Sequence, residues 1–238
     1  MSWETLEKEA YGRELPKVYN DWEGISEVTS LPDSAQHRLI DKVVLEMSSD
    51  NPEGVKTAIV APPCIYGDGR GPDNQRSIQA YEAAKAVLQQ KRGFLPVKGE
   101  NVWHQVHVRD LATCFVLLGE SAAARDGAAT WNQEGYYFAE NGSFVWRDIF
   151  QTITRVAKQK GLIDSDETSP MPYEQLTEIL PGAAILWASN SRAQAIRARK
   201  LLGWNPQEQS LKDEIPHIVD QEARVLGLIE GHAAKVAA

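Results

Sequence analysis

The 238-residue sequence holds only two cysteines, Cys64 and Cys114, too few for a disulfide scaffold or a cysteine-built zinc cluster. It has no run of about 18 apolar residues, so no membrane-spanning helix is expected. Positive charge is in deficit: 25 Lys and Arg stand against 33 Asp and Glu, a formal net charge of −8. No basic stripe offsets that, which argues against a nucleic-acid binder. Residues 1–16 are polar and acidic and lack the apolar centre of a secretory signal. What is present is ordinary for a globular chain, with 42% hydrophobic and 24% charged residues, and this excludes disorder for the bulk. The expectation is a soluble cytoplasmic protein whose partner is a small molecule, with neither nucleic acid nor membrane involved. At about 150 residues per domain, the length suits one large domain or one and a half.

Residues 1–33 carry Pro16, Gly24 and Pro32 among scattered charges, with no sustained period, and read as a lead-in loop. Over 34–47, Leu39, Ile40, Val43, Val44 and Met47 recur at spacings of three and four, which predicts a helix. A turn at 51–54 leads into 55–61, a β-branched apolar run stopped by Pro62 and Pro63. That run reads as a strand buried on both faces. An irregular glycine-rich loop follows at 67–72. Helices are predicted over 75–90, 110–124, 146–160, 190–202 and 211–228, and short strands over 104–108 and 136–139. The proline-bearing stretch 163–190 reads as variable and loop-rich, and the alanine-rich 229–238 as a fraying tail. Strands alternating with helices point to an α/β fold with some parallel sheet.

Three segments carry a family resemblance. Ala61-Pro62-Pro63-Cys64-Ile65-Tyr66-Gly67 is similar to R-P-x-x-V-Y-G, and Val106-His107-Val108-Arg109-Asp110-Leu111-Ala112 to V-H-V-x-D-L-A. Ala198-Arg199-Lys200-Leu201-Leu202-Gly203-Trp204-Asn205-Pro206 is similar to A-x-x-L-G-W-x-P. Together and in this order they resemble the extended short-chain dehydrogenase/reductase family, the NAD-dependent epimerase/dehydratase group. The chain is also similar to uncharacterised NAD(P)-binding Rossmann-type proteins of filamentous fungi, through Val18-Tyr19-Asn20-Asp21-Trp22 and His37-Arg38-x-x-Asp41-Lys42.

The resemblance implies a partial Rossmann-type, doubly wound fold over 34–228, a C-terminal portion with a mostly helical substrate-side region. It implies NAD or NADP as cofactor and oxidoreductase or epimerase/dehydratase chemistry. By the same resemblance Lys42 would contact the nicotinamide ribose, and Pro62, Pro63, Cys64 and Ile65 would line the nicotinamide pocket. Tyr66 and Trp103 would line the substrate pocket.

Departures from the family pattern are as informative. The family's G-x-x-G-x-x-G turn lets the backbone approach a pyrophosphate at a helix N-terminus. This sequence has no such motif; its glycine cluster, Gly67-Asp68-Gly69-Arg70-Gly71, follows a later strand. The resemblance therefore implies a truncated chain without the dinucleotide-binding half. The family's catalytic Tyr stands four residues before the Lys, one helical turn away. Here that position is Arg38, which keeps its proton near neutral pH and cannot act as an acid/base. Histidine is the side chain suited to acid/base work near neutral pH, and His37 is the candidate catalytic substitute beside Lys42. The alternative is a polar helix face, with Arg38 and Lys42 in solvent or paired with Asp41 or Glu46. Nucleotide-sugar members place an Arg four residues before the V-H-V histidine; this chain has Trp103 there, and an indole offers no fork for a diphosphate. A small apolar or aromatic substrate, not a nucleotide sugar, is expected.

Two readings of function follow, the family's NAD(P)-linked chemistry and a non-catalytic or cofactor-free ligand-binding protein that keeps a remnant of the fold. A cofactor-independent lyase or isomerase using His37 or Tyr66 is a third. No metal site is expected: His104 and His107, three apart on a strand, face opposite sides. His107 suits a structural hydrogen bond under the helix that follows, and Cys64 reads as inert and buried. Trp3, Trp22, Trp103 and Trp131 read as packing anchors. A strand at 55–61 short of neighbours leaves an open edge, and three outcomes stand open: a fragment of poor independent stability, a homodimer through that unpaired sheet edge, or a rearranged sheet that serves as a binding module.

Overall fold

The structure, a computed structural model, describes residues 10–49, 51 and 54–230. The chain runs through β1 (Tyr19–Asn20), α1 (Ile25–Thr29), α2 (Arg38–Glu46), β2 (Ile59–Ala61), β3 (Cys64–Tyr66) and α3 (Gln79–Gln90). Next come β4 (Gly93–Pro96), β5 (Val102–His107), α4 (Val108–Ala123), β6 (Tyr136–Phe138), β7 (Ser143–Val145) and α5 (Trp146–Gln159). It ends with β8 (Thr168–Met171), α6 (Tyr173–Ile179), α7 (Ala183–Ala188), β9 (Ala193–Gln194), α8 (Ile196–Leu202) and α9 (Leu211–Val225). Pairing is parallel for β1–β9, β2–β6, β3–β5 and β4–β8, and antiparallel for β5–β7. Parallel neighbours joined through helices give the expected α/β class.

The apolar run at 55–61 yields only the three residues of β2, and these are half-buried, not covered on both faces. Its first half is diverted. Thr57 donates its N–H to Asn132 Oδ1 (3.0 Å), takes the Asn132 N–H on its carbonyl (2.8 Å), and gives its hydroxyl to the Val44 carbonyl (3.1 Å). Pro62 and Pro63 bring no N–H to a ladder, so the strand breaks there and resumes as β3. Among the described residues β2 pairs with β6 on one edge only.

Residues 19–20 and 25–29, within the expected lead-in loop, form β1 and α1. Asn20 Oδ1 accepts the N–H groups of Trp22 (3.2 Å) and Gly24 (2.8 Å), a side-chain turn that leads into α1. The helix read over 34–47 starts later, at Arg38, because His37 adopts the left-handed region at φ 67°. Its apolar stripe faces outward. Leu39, Ile40, Val43 and Met47 are 61–66% exposed, while Arg38, Leu45 and Ser48 are buried.

The stretch 163–190 is more ordered than its prolines suggest. Pro170 lies on β8, Pro172 is the residue before α6, and Pro181 precedes Gly182, whose φ of 82° starts α7. Pro172 and Pro181 stand just ahead of helices, where no helix bond needs an N–H, while Pro170 sits exposed within β8. Leu176, Ala183 and Trp187 from this stretch are fully buried. The expected fraying tail from residue 231 onward, Trp3, and part of the turn at 51–54 lie outside the described residues.

Two cores result. The larger lies among α3, α5, α9 and β4, where Phe150 sits 4.9 Å from Phe94, 5.9 Å from Trp146 and 5.5 Å from Trp187, centroid to centroid. The smaller joins Val106 of β5, Cys114 of α4, Tyr137 of β6, Ala198 of α8 and Trp204.

Candidate functional site

The three sequence segments singled out above meet in one place. Gly67 holds φ 87°, and a Cβ on it would collide with His107 Nε2, so the glycine is required twice over. His107 is buried beneath the Tyr66 ring, edge to face at 5.3 Å, and its Nδ1 accepts the Arg109 N–H (3.2 Å) as the N-cap of α4. Tyr66 donates its hydroxyl to the Gln209 carbonyl (2.6 Å). Asp110 accepts the N–H groups of Gln207 (2.9 Å) and Glu208 (3.1 Å), and its carbonyl takes the Trp204 indole N–H (2.8 Å). These segments therefore lock β3, α4 and the turn before α9 to one another. Their geometry is that of a structural knot.

A separate cavity of about 550 Å³ runs along β2 and β6 and past their carboxyl ends. Pro62, Pro63, Ile65 and Trp103 line it, as does His37 at the start of α2. Five of the residues singled out from the sequence thus face one space. Lys42, Cys64 and Tyr66 are not among the lining residues. Lys42 Nζ binds Asp33 Oδ1 at 2.5 Å and holds that carboxyl below its usual range; its partner is neither Asp41 nor Glu46. Cys64 is fully buried, which pushes its thiol up to about 12, so it stays a thiol at neutral pH. Tyr66 is spent in the knot. His37 lies ahead of the helix, not on it.

The sequence did not single out several lining groups. Arg38, expected in solvent or paired with Asp41 or Glu46, is 8% exposed, in the cavity wall and in an ion pair with neither. Asp41 and Tyr136 line it too, the Tyr136 hydroxyl donating to Asp41 Oδ2 at 3.4 Å. Burial raises both, Asp41 against the pull of Tyr136, His37 and Arg38, and Tyr136 with the help of Asp41. Tyr136 is therefore a neutral phenol, a donor and not a base. Glu140 is tied to Arg199 (3.0 Å) and to the Ala195 N–H (3.2 Å), which fixes the end of β6 to α8. Trp103 both lines the cavity and packs, with its indole N–H on the Ser189 carbonyl (2.6 Å) and Trp146 at 6.5 Å. The signal for Arg38 and Asp41 lay in their spacing of three, which puts them on one helix face.

His104 and His107 address different neighbours, the first accepting the Ala193 N–H at 3.3 Å. Among the described residues no three His, Cys, Asp or Glu side chains gather as metal ligands, and no helix is long and apolar enough to cross a membrane.

No family model matches the chain. The chain is 31% identical over 235 residues to oxidase ucsJ of an Acremonium species, covering 96% of this chain and 68% of that protein. Among solved structures it is similar to the UDP-glucose 4-epimerase of Thermotoga maritima, with a TM-score of 0.55 and 16% identity, over 92% of this chain and 62% of that one. It is also similar to the UDP-glucuronic acid 4-epimerase of Bacillus cereus, solved with UDP-glucuronic acid and NAD, with a TM-score of 0.52 and 13% identity, over 79% and 51% of the two chains. This chain thus spans about half to two thirds of the length of those solved enzymes. Fold, motifs and relative agree: the chain belongs to the extended short-chain dehydrogenase/reductase family, the NAD-dependent epimerase/dehydratase group, and its fold is a partial Rossmann-type α/β fold.

Proposed function

We propose that this chain carries the substrate side of a NAD(P)-linked oxidoreductase or epimerase/dehydratase-type protein that acts on a small molecule other than a nucleotide sugar. One observation carries the reading: Pro62, Pro63, Ile65, Trp103 and His37 converge on a single cavity at the carboxyl ends of parallel strands. That is where open α/β folds bind ligands. Trp103 in place of an Arg leaves no bidentate partner for a diphosphate at that position.

The described residues suit one end of a dinucleotide and not the other. Pro62, Pro63 and Ile65 offer an apolar wall to a nicotinamide ring. The pyrophosphate finds no glycine-rich cradle: Gly67 is packed on His107, and the Gly69 N–H is taken by the Gln75 carbonyl at 2.9 Å. Arg38, at the position of the family's acid/base Tyr, has no proton to give. These last two observations favour the second reading, a ligand-binding protein without cofactor turnover.

A titration of NADH and NADPH, followed by nicotinamide fluorescence with a thermal melt alongside, separates the two. Saturable binding at micromolar concentration with a raised melting temperature is the expected result. A cooperative melt that neither dinucleotide shifts would leave the cofactor-free reading.

A further inference from the structure

Arg38 enters the cavity wall from the first turn of α2, and only 8% of it is exposed. Its Nε and Nη1 are buried and meet no acceptor. Among the described residues no Asp or Glu oxygen lies within 4.0 Å of its guanidinium. Asp41, one turn along, turns its carboxylate to the Tyr136 hydroxyl. A guanidinium stays charged throughout the physiological range, and holding it in a buried site without acceptors is strongly unfavourable. Arg192 adds to the imbalance: its Nη1 is held by Glu14 (2.9 Å) and the Leu15 carbonyl (2.7 Å), yet its Nε is buried without a partner in the same wall. The same cavity is walled by apolar Pro62, Trp103 and Phe138, with the carboxylates of Asp41 and Glu140 also in its lining and the latter tied to Arg199.

We propose that the cavity is an organic-anion site, in which Arg38 binds a carboxylate while Trp103 and Phe138 hold an apolar or aromatic body. The proposal rests on reading this cavity as the substrate site and specifies the class of molecule it takes. Each half of the site excludes a simpler occupant. Inorganic phosphate would satisfy the guanidinium and leave the apolar wall bare. A neutral aromatic would cover the wall and leave Arg38 without an acceptor.

The test uses the full chain with 2-naphthoate, its neutral isostere 2-naphthamide, and inorganic phosphate, each titrated by naphthalene fluorescence or calorimetry. The expected result is that naphthoate binds about ten-fold or more tighter than naphthamide, the gain of a charge-assisted hydrogen bond. Phosphate should bind more weakly than naphthoate. Arg38→Gln should abolish the preference for naphthoate over naphthamide, and Arg38→Lys should restore part of it. Equal binding of naphthoate and naphthamide by the wild-type chain overturns the anion proposal and leaves the cavity reading intact. Binding of neither aromatic overturns both. Phosphate binding as tightly as naphthoate overturns the organic class. Because the wild-type comparison stands alone, an Arg38→Gln chain that fails to melt cooperatively does not weaken the test.

Discussion

Asp21 is fully buried, and its carboxylate accepts the N–H of Phe138 on β6 (2.7 Å) and those of Ile196 and Arg197 at the start of α8 (2.9 Å each). Its carbonyl takes the Arg197 Nε–H at 2.8 Å. One aspartate thus satisfies donors at a helix start that would otherwise lack partners. It also ties the N-terminal segment to the cavity's floor strand. Asp21→Ala leaves one buried and two partly buried N–H groups unpaired and should cost about 2 kcal/mol or more. Asp21→Asn keeps one acceptor oxygen and should cost less. Urea midpoints at unchanged slope measure both, and a loss below about 0.5 kcal/mol for the alanine variant would contradict this assignment. The V-Y-N-D-W stretch was legible as a resemblance. Its role was not, because the partners of Asp21 lie more than 100 residues away in sequence.

At the scale of elements, α2 shows what periodicity can and cannot say. The stripe of Leu39, Ile40, Val43 and Met47 marks a helix correctly. It does not say what the stripe faces, and here it points outward while Arg38, Asp41 and Leu45 turn toward the protein. Leu45→Ala should therefore cost about 2–4 kcal/mol, and Val43→Ser less than about 0.5. Thermal or urea denaturation of the two variants checks the order, and the reverse order would place the helix the other way round. The strands and helices read over 136–139 and 146–160 correspond closely to β6 and α5 because their patterns match their burial. The stretch 163–190 was opaque for a physical reason: Pro172 and Pro181 mark helix boundaries and Pro170 lies within β8, and such prolines look in sequence like loop prolines. The run at 55–61 misled in the opposite direction, since the pull of Asn132 on Thr57 is a long-range contact invisible to local pattern.

For the whole molecule, the three family motifs and the cavity overlap only within residues 61–65, and the motif residues that anchor the scaffold lie outside it. Gly67, His107, Asp110 and Trp204 hold the scaffold together. The cavity is built beside them from less distinctive residues, Arg38, Asp41, Trp103, Tyr136 and Arg192 among them. This is why family and fold class could be read from sequence while most of the cavity could not: the scaffold constrains short motifs, whereas the cavity is assembled from single positions on six separate segments. The central claim is that ligand binds in this cavity and not at the glycine-rich loop. Hydrogen exchange of the full chain with and without saturating NADH tests it most directly. Binding in the cavity slows exchange over 59–65 and 136–140 and leaves 67–76 unchanged. Protection confined to 67–76, or bound NADH that leaves both cavity strands unprotected, would contradict it.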